Sequence, residues 1–585
     1  MCSSDLLGVL DPDQAVTLLG RILGMDRVVA EPAAARRIVH LCGLLPLAVR
    51  VAGSRLAGRR HRTLAWLAGE LADERRRLDV LAHGDLEVRA SLALSYQALA
   101  PAQQRAFRLL GLAPAPDFAA WAASALLDVP MERAEQLLEE LFDAQLVEVA
   151  STGPLGVRWR FHDLLRVYAR ELADEHERGA AVERLLGTCL TLAEEARQQG
   201  ISSAYFHLRG QARRRPLAPG PVAGLLADPG AWFERERRFL AGAVELACVT
   251  GLTGPAWELA NALGGLFDLA ECLDDWRHVV ELALAAVDAA GDRRGEAALR
   301  CQLAWRDAKR DLPAAAIEGF ERARTLFQQI GDCHGEAVAD ASVGVLHVPL
   351  GRYDVAAERL PRVLPVLREA GDLQVQAFVL RGMGTLHLDL GRAGEAVDCF
   401  AEALELARRT GYRYAEANIL RWLAAARMDQ GHADEAMGLA EECMDVFRQL
   451  GSRVGEAIAL LVQGKLDVRL GRLGPAMAVL TRCLLIAEEA GDVVTQAEAR
   501  HQLSLVCLAE AHHERAISHA RQALAILEPT GRLLMIARAL ATLGDAYEAA
   551  GERDEARSCH DRALRLFQQM RAPEAGPLAR RLASG

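Results

Sequence analysis

The sequence predicts an all-α protein that ends in a long stack of helical hairpins, and three observations lead to this prediction. A 40-residue period begins at Gly291 and continues without slippage through Gly531. Between the recurring glycines, apolar residues have the spacing of amphipathic helices, as in Ala396–Ala407. The chain is also 51% hydrophobic and 25% charged, which is typical of globular domains and excludes a disordered chain.

Small residues at fixed places in the period explain how each unit folds. Glycine ends a helix at low cost because it accepts a positive φ angle, and small side chains let two helices approach closely. The glycine positions are Gly291, Gly331, Gly371, Gly411, Gly451, Gly491 and Gly531, and one alanine position is Ala316, Ala356, Ala396, Ala436, Ala476, Ala516 and Ala556. Each unit is therefore predicted to be two antiparallel helices. One hairpin cannot bury its apolar face alone, so the units must stack into an α-solenoid.

This pattern resembles the tetratricopeptide repeat. The signature spacing is matched by Gly384, Gly391, Ala396, Phe400 and Ala403. A divergent further unit is expected at 251–290, with Trp276 in the place of the recurrent alanine. The predicted solenoid therefore has about eight units and occupies 251–585.

The N-terminal part is predicted to hold three segments: a helical segment at 1–85, a winged helix with a small β-wing at 86–178, and a helical linker at 179–250. In the first segment, Asp11-Pro12 predicts a helix start, and Pro46 predicts a break followed by a new helix. In the second segment, helices are expected at 101–112, 118–126 and 131–145. Strands are expected at Leu146–Val149 and Val157–Phe161, joined by a loop at 150–156.

His162 and Asp163 directly follow the second predicted strand, and four roles are open to them: a catalytic dyad, metal ligands, a helix cap, or contacts of a larger ligand site. A dyad needs a nucleophile motif, and the sequence has neither Gly-x-Ser-x-Gly nor His-Glu-x-x-His. Asp163 at a helix start is suited to an N-cap. The sequence therefore predicts a protein that is not an enzyme, without catalytic or metal-binding residues.

Three segments together resemble the C-terminal half of a STAND NTPase of the NB-ARC type, as found in AfsR-like bacterial regulators. They are Gly43-Leu44-Leu45-Pro46, Phe161-His162-Asp163 and Asp228–Ala247. The resemblance implies that Pro46 would pack on an adenine and that His162 would reach the β-phosphate of ADP.

The family's phosphate-binding loop, Gly-x-x-x-x-Gly-Lys-Ser/Thr, does not occur in these 585 residues, since Gly464-Lys465 is followed by Leu466. We therefore expect a regulator of this type that lacks its nucleotide-binding domain. No cofactor is expected, and ADP or ATP would bind only if a missing domain were supplied. Completion by a separate chain is one alternative.

Charge limits the partners. The net charge is -11, and the predicted helix at 131–145 carries Glu132, Glu135, Glu139, Glu140 and Asp143 against Arg133, which disfavours DNA binding. No apolar span or signal peptide suggests a membrane, so a cytoplasmic protein is expected.

The solenoid groove is predicted to bind a partner. The resemblance to the tetratricopeptide family implies that the first helix of each unit lines the groove, and the family's groove-facing positions fall on Arg381, Arg421, Lys465, His501 and Arg538. Such a basic stripe suits an acidic protein or peptide, although an ordinary solvated face gives the same pattern.

These patterns predict the sensor and effector-binding part of an AfsR-like transcriptional regulator, in which a groove partner shifts how the domains pack. A constitutive tetratricopeptide scaffold without a switch is the other alternative.

Overall fold

The computed structural model describes residues 10–59, 61–72, 81–83, 86–201, 208–270 and 272–584. Residues 73–80, which were predicted to continue the first helical segment, lie outside this set. The chain divides into two compact bodies: an N-terminal body of residues 1–192 and 212–250, and a solenoid body of residues 193–211 and 251–585. Within the described residues, no helix combines the length and apolarity needed to cross a bilayer.

The N-terminal body begins with helices whose starts follow the sequence signals. They are α1 (Pro12–Leu23), α2 (Met25–Ala30), α3 (Pro32–Leu41), α4 (Pro46–Ala57) and α5 (Leu64–Ala72), followed by the short strands β1 (Ala82–His83) and β2 (Leu86–Glu87). The Asp11 carboxylate caps α1 by accepting from the Asp13 amide at 2.9 Å. Pro46 is the first residue of α4. Both predicted helix starts are confirmed.

A small antiparallel sheet lies among the next helices. In chain order the elements are α6 (Val88–Gln97), α7 (Pro101–Leu110), β3 (Asp117–Ala119), α8 (Ala120–Leu127), α9 (Met131–Asp143), β4 (Glu148–Gly153), β5 (Gly156–Arg160) and α10 (Asp163–Leu172). The strand order is β3-β5-β4. Strand β3 was not predicted; it has three residues and is joined to β5 by an ion pair between Arg158 Nε and Asp117 Oδ1 at 2.5 Å.

Two local predictions in this region were wrong. The loop expected at 150–156 is mostly strand, because β4 continues past a bulge near Ser151 and pairs with β5 as far as Gly153. Asp163 does not cap α10. His162 occupies the N-cap position without a side-chain capping bond, and Asp163 is the first helical residue.

The N-terminal body is completed by α11 (Glu175–Ala196), which continues into a π-helical turn (Arg197–Ile201), and by α12 (Pro219–Leu225) and α13 (Pro229–Val249). Within this stretch, residues Ala193–Gln211 belong to the solenoid body. Helix α13 packs on the small sheet: Phe239 stacks edge-on against Trp121 at 5.2 Å, and Glu236 accepts from Arg158 Nη1 at 2.6 Å. Arg158 and Glu236 are both buried, so breaking this pair would leave an unpaired charge in the core.

From residue 251 on, the described part of the solenoid body forms eight helical hairpins and a short closing helix. The hairpins are α14 (Thr253–Leu269) with α15 (Leu273–Ala290), α16 (Arg293–Lys309) with α17 (Pro313–Ile330), α18 (Cys333–His347) with α19 (Tyr353–Glu369), α20 (Leu373–Asp389) with α21 (Ala393–Arg409), α22 (Arg413–Asp429) with α23 (Ala433–Gln449), α24 (Arg453–Arg469) with α25 (Leu473–Glu489), α26 (Val493–Ala509) with α27 (His513–Leu527), and α28 (Leu533–Ala550) with α29 (Arg553–Met570). Helix α30 (Ala575–Ser584) follows. The all-helical, solenoid-forming character predicted from the repeat is confirmed.

The recurrent small residues act as predicted. Gly331 and Gly371 end their hairpins with φ angles of 70° and 68°, and Ala511 takes a φ of 60° where other units have a mid-unit glycine. In consecutive units the Cys443 and Cys483 thiols donate to the carbonyls of Ala417 and Ala457, at 3.3 and 3.2 Å. The same contact at the same place in two units shows that the packing geometry repeats with the sequence.

Candidate functional site

The first helices of the hairpins form the inner wall of the solenoid. Each of them packs on its own second helix and also on the first helix of the next unit, as α14 does with α16 and α24 with α26. Successive first helices are therefore drawn together on the inside of the curve. We call the surface formed by α14, α16, α18, α20, α22, α24, α26 and α28 the inner wall.

The last hairpin of the solenoid, together with the residue that precedes it, contacts the second and third hairpins. Arg532, which precedes α28, donates to Asp311 Oδ1 at 2.8 Å across a separation of 221 residues. A Cβ atom at Gly351 would lie 2.5 Å from Met570 Sδ, so α29 also packs tightly on the third hairpin. This closure encloses the inner wall, and polar side chains there are partly removed from water.

All five residues predicted to face the groove lie on first helices of the inner wall: Arg381 on α20, Arg421 on α22, Lys465 on α24, His501 on α26 and Arg538 on α28. They differ in their partners. Lys465 forms an ion pair with Glu498, and Arg538 Nη2 pairs with Glu574 Oε1 at 2.7 Å. Two of the predicted positive charges are therefore balanced within the chain.

Arg381 and Arg421 stack on aromatic rings of their own helices. The Arg381 guanidinium lies 5.3 Å from the Phe378 ring centroid, and that of Arg421 lies 4.9 Å from the Trp422 centroid. Arg421 has no ion-pair partner among the described residues. Burial lowers the pKa of Arg421; the charge of the Glu498 carboxylate opposes this shift, and the charge of Arg381 adds to it. This part of the wall holds a positive potential that the protein only partly compensates.

His501 does not add positive charge at neutral pH, which corrects the prediction of a uniformly basic stripe. Burial lowers its pKa to about 4, and the charges of Lys465 and Arg538 act in the same direction. Its Nε2 lies 2.9 Å from the hydroxyl of Thr542 on α28. His501 is therefore a neutral hydrogen-bonding group that joins two first helices.

The inner wall also carries a carboxyl group that titrates near neutral pH. Burial raises the pKa of Asp389, at the end of α20, to about 7, and Arg538 opposes this shift. The Tyr353 hydroxyl donates to its Oδ2 at 3.3 Å. The charge of this region therefore changes at about pH 7, a property that the residue pattern alone does not predict.

A second group of inner-wall residues was not predicted from the sequence, because its members are uncharged and do not recur with the repeat. Asn261 and Gln302 are buried polar residues on α14 and α16, and Gln302 Nε2 donates to Asn261 Oδ1 at 2.6 Å. Asn261 Nδ2 donates in turn to the main-chain carbonyl of Leu208 at 2.8 Å. A buried amide aimed at a main-chain carbonyl is a typical peptide-binding contact.

The structure brings together the two segments assigned to a nucleotide by resemblance. Gly43 has a φ of +61°, and a Cβ atom there would lie 1.9 Å from His162 Cε1, so the His162 ring lies directly on the turn that precedes Pro46. Burial lowers the pKa of His162, against the opposing effect of the Gly43 backbone. His162 and the Pro46 turn thus form one surface of the N-terminal body.

One group of metal-ligating side chains occurs among the described residues, formed by Asp545, Glu548 and His560. The Arg581 guanidinium already occupies it, with Nη1 at 2.5 Å from Asp545 Oδ1 and a further bond to Glu548. His560 Nε2 lies 2.9 Å from the same Asp545 oxygen. These contacts fasten α30 to the last hairpin and explain the cluster as a structural feature.

A cavity of about 360 Å³ lies between the second helices α23 and α25, with Leu460 and Gln463 of α24 also in its lining. Its lining includes the apolar side chains of Met437, Met444 and Val479 and the charged side chains of Asp445 and Arg482. We call it the outer cavity, and it provides a reference surface because most of its lining comes from second helices.

Comparisons with known proteins agree with this architecture. Residues 382–410 match the family model described as tetratricopeptide repeat. The chain is 41% identical over 315 residues to the regulatory protein AfsR of Streptomyces coelicolor, which covers 51% of this chain and 30% of that protein. It is 37% identical over 359 residues to AfsR of Streptomyces griseus, which covers 60% of this chain and 36% of that protein. The chain thus spans about a third of the length of these curated relatives.

Among solved structures, the fold is similar to that of a STAND (Signal Transduction ATPase with Numerous Domains) protein with a tetratricopeptide repeat sensor from Pyrococcus horikoshii. The TM-score is 0.53 at 13% identity, with 96% of this chain and 73% of that chain covered. The predicted resemblance to AfsR-like STAND regulators with tetratricopeptide repeats is confirmed.

Proposed function

We propose that the chain is the sensor part of an AfsR-like regulator and that its solenoid binds a protein or peptide on the inner wall. The likeness to AfsR supports a regulatory role, and the repeat architecture supports a binding role rather than a catalytic one. The proposed ligand carries carboxylate groups.

The observation that carries this proposal is the state of Arg421. Its guanidinium stacks on Trp422 and has no ion-pair partner within the described residues, although Lys465 and Arg538 are both paired. A carboxylate placed between Arg421 and Arg381 would relieve the repulsion between two partly buried guanidinium groups. The wall therefore fits an acidic segment at Arg381 and Arg421 better than along the whole predicted stripe.

The N-terminal body is proposed to transmit the effect of ligand binding at the solenoid. Its residues 86–178 fit a winged helix, with α7, α8 and α9 followed by β4 and β5. Contact with nucleic acid through α9 is not proposed, since its Arg133 already pairs with Glu140 at 2.9 Å. Binding at the solenoid would favour one conformational state of the regulator and thereby signal to a nucleotide-bearing module.

Pro46 and His162 are proposed as contacts to that module's nucleotide. The adjacency of the Gly43 turn and His162 supports this assignment, because a shared ligand needs both groups on one surface. Neither residue supplies a phosphate-binding loop, so the nucleotide would be held mainly by the module.

Charge reversal tests the binding proposal. The variant Arg381→Glu/Arg421→Glu/Lys465→Glu should lose the main protein captured from a lysate of the source organism, while circular dichroism remains helical. A matched control, Arg322→Glu/Arg368→Glu/Arg448→Glu, reverses three exposed arginines on second helices and should retain it. Equal capture by both variants would show that the inner wall is not the binding surface.

A further inference from the structure

Part of the inner wall is covered by the chain itself. The π-helical turn Arg197–Ile201 packs on α14 and α22. Arg197 is 7% exposed, and its Nη1 donates to Gln374 Oε1 on α20 at 3.1 Å. Arg209 Nη2 pairs with Glu194 Oε2 at 3.0 Å, so the two ends of this stretch are held together. We call residues 193–201 and 208–211 the wall-bound segment.

The wall holds the second part of this segment through its main chain. Asn261 Nδ2 donates to the Leu208 carbonyl at 2.8 Å, and Arg294 Nη1 donates to the Arg209 carbonyl at 2.6 Å. Asn261 and Gln302 are 3% and 1% exposed, and the bond from Gln302 fixes the orientation of the Asn261 amide. The main-chain carbonyls of Leu208 and Arg209 thus accept hydrogen bonds from side chains of two successive first helices, α14 and α16.

The wall also selects side chains. Leu208 is 2% exposed, whereas the Arg209 side chain is half exposed. At Gly210 a Cβ atom would lie 2.4 Å from both Glu258 Oε1 and Trp257 Cζ2, so a larger residue does not fit. The contacts therefore require an apolar residue at position 208, tolerate different residues at position 209, and require glycine at position 210.

From these contacts we infer that the inner wall formed by α14 and α16 is a peptide-binding surface whose resting occupant is Leu208–Gln211. A protein partner with an extended segment, in which an apolar residue precedes glycine by two positions, competes with this occupant. The inference rests on the proposed function, and it adds a peptide class and a form of regulation by self-occupancy.

Self-occupancy sets a threshold for the partner. A tethered segment acts at an effective concentration of about a millimolar, so a free peptide with the same contacts displaces it poorly. A partner succeeds when it adds contacts elsewhere on the inner wall, such as a carboxylate at Arg421. Release of the wall-bound segment then accompanies binding.

The test uses the full chain and a fluorescent synthetic peptide that copies residues 206–213. The variant Gly210→Leu should release the segment, seen as faster tryptic cleavage after Arg209 and faster hydrogen exchange at residues 208–211. Gly254→Leu on α14 is the control, because a Cβ atom there meets nothing within 4 Å. Leu208→Ser is a second releasing variant that leaves the hairpins unchanged, and circular dichroism checks that each variant is folded.

Fluorescence anisotropy should show that the peptide binds the two releasing variants about tenfold or more tighter than wild type and Gly254→Leu. Adding Asn261→Leu to Gly210→Leu should abolish that binding. Equal binding to wild type and releasing variants would overturn the inference. So would a released segment without peptide binding, or no release by either variant.

The charge-reversal experiment varies Arg381, Arg421 and Lys465, none of which is changed here. If charge reversal abolishes partner capture while the peptide fails to bind, the proposed function stands and self-occupancy is rejected. If peptide binding succeeds while charge reversal has no effect, the peptide surface stands and the acidic-ligand proposal is rejected.

Discussion

Replacing Gly384 with alanine would put one methyl group where the solenoid has no room for it. Gly384 lies inside α20, and a Cβ atom there would stand 2.6 Å from Cε1 of Phe400 on α21. The Phe400 ring is fully buried, so it has little space in which to move away. In the same hairpin, a Cβ atom at Gly394 meets nothing within 4 Å, which makes Gly394→Ala a matched control.

Two opposing effects set the magnitude. Alanine in place of glycine favours a helix by about 1 kcal/mol. Overpacking a buried contact costs about 1–3 kcal/mol. We therefore expect Gly384→Ala to lower the free energy of unfolding by up to about 2 kcal/mol. Gly394→Ala should raise it by about 0.5–1 kcal/mol, since only the favourable effect remains.

Hydrogen exchange followed by mass spectrometry is the appropriate assay, because stability in a repeat protein is a local property. Gly384→Ala should accelerate exchange in α20 and α21, and Gly394→Ala should slow it there. If Gly384→Ala slows exchange as Gly394→Ala does, the close packing of α20 on α21 is refuted.

Three further outcomes are expected. Ala396→Leu, at a fully buried position, should cost about 1–3 kcal/mol and accelerate exchange in α21 and its neighbours, whereas uniform acceleration along the chain would contradict a nearest-neighbour solenoid. The contribution of His501 to stability should fall as pH drops from 6.5 to about 4, because the unfolded state binds a proton that the buried imidazole does not bind, whereas protonation of Asp389 acts in the opposite direction. In denaturant unfolding, the free energy of wild type minus that of His501→Gln should therefore decrease over this pH range, and a constant difference would refute the burial of this ring. Calorimetric titration with ADP or ATP, with and without Mg²⁺, should give a dissociation constant no tighter than about a millimolar, about 4 kcal/mol, since Pro46 and His162 are only two contacts; a micromolar constant would contradict this.

The repeat was predictable because its signals are local and recur. A glycine with positive φ at a fixed interval ends each hairpin and so sets its length, and the same signal recurs in each unit. Ala511 shows the limit of that signal, since it adopts a φ of 60° without being glycine, held by the hairpins on either side. Strand β3 gave no signal, because three residues are too few to show alternation and their pairing is set by tertiary contact.

The positions of the candidate site followed from the resemblance to the tetratricopeptide family, but its electrostatics did not. Lys465 is paired with Glu498 of the next unit, and His501 is neutral because the closed superhelix buries it. The contact between Asn261 and Leu208 joins residues 53 positions apart that share no periodic pattern. Sequence periodicity identifies which face of a helix points inward, but it cannot identify what lies against that face.

The central claim is that partners bind the inner wall, and side-chain footprinting tests it most directly. Trp422 is half-buried beside Arg421 on the inner wall, and Met437 lines the outer cavity between second helices. Hydroxyl-radical oxidation of the full chain, alone and with its captured protein partner, would report on both side chains in one experiment. The partner should protect Trp422 and leave the oxidation of Met437 unchanged. Protection of Met437 with no change at Trp422 would contradict the claim and place binding on the outer surface.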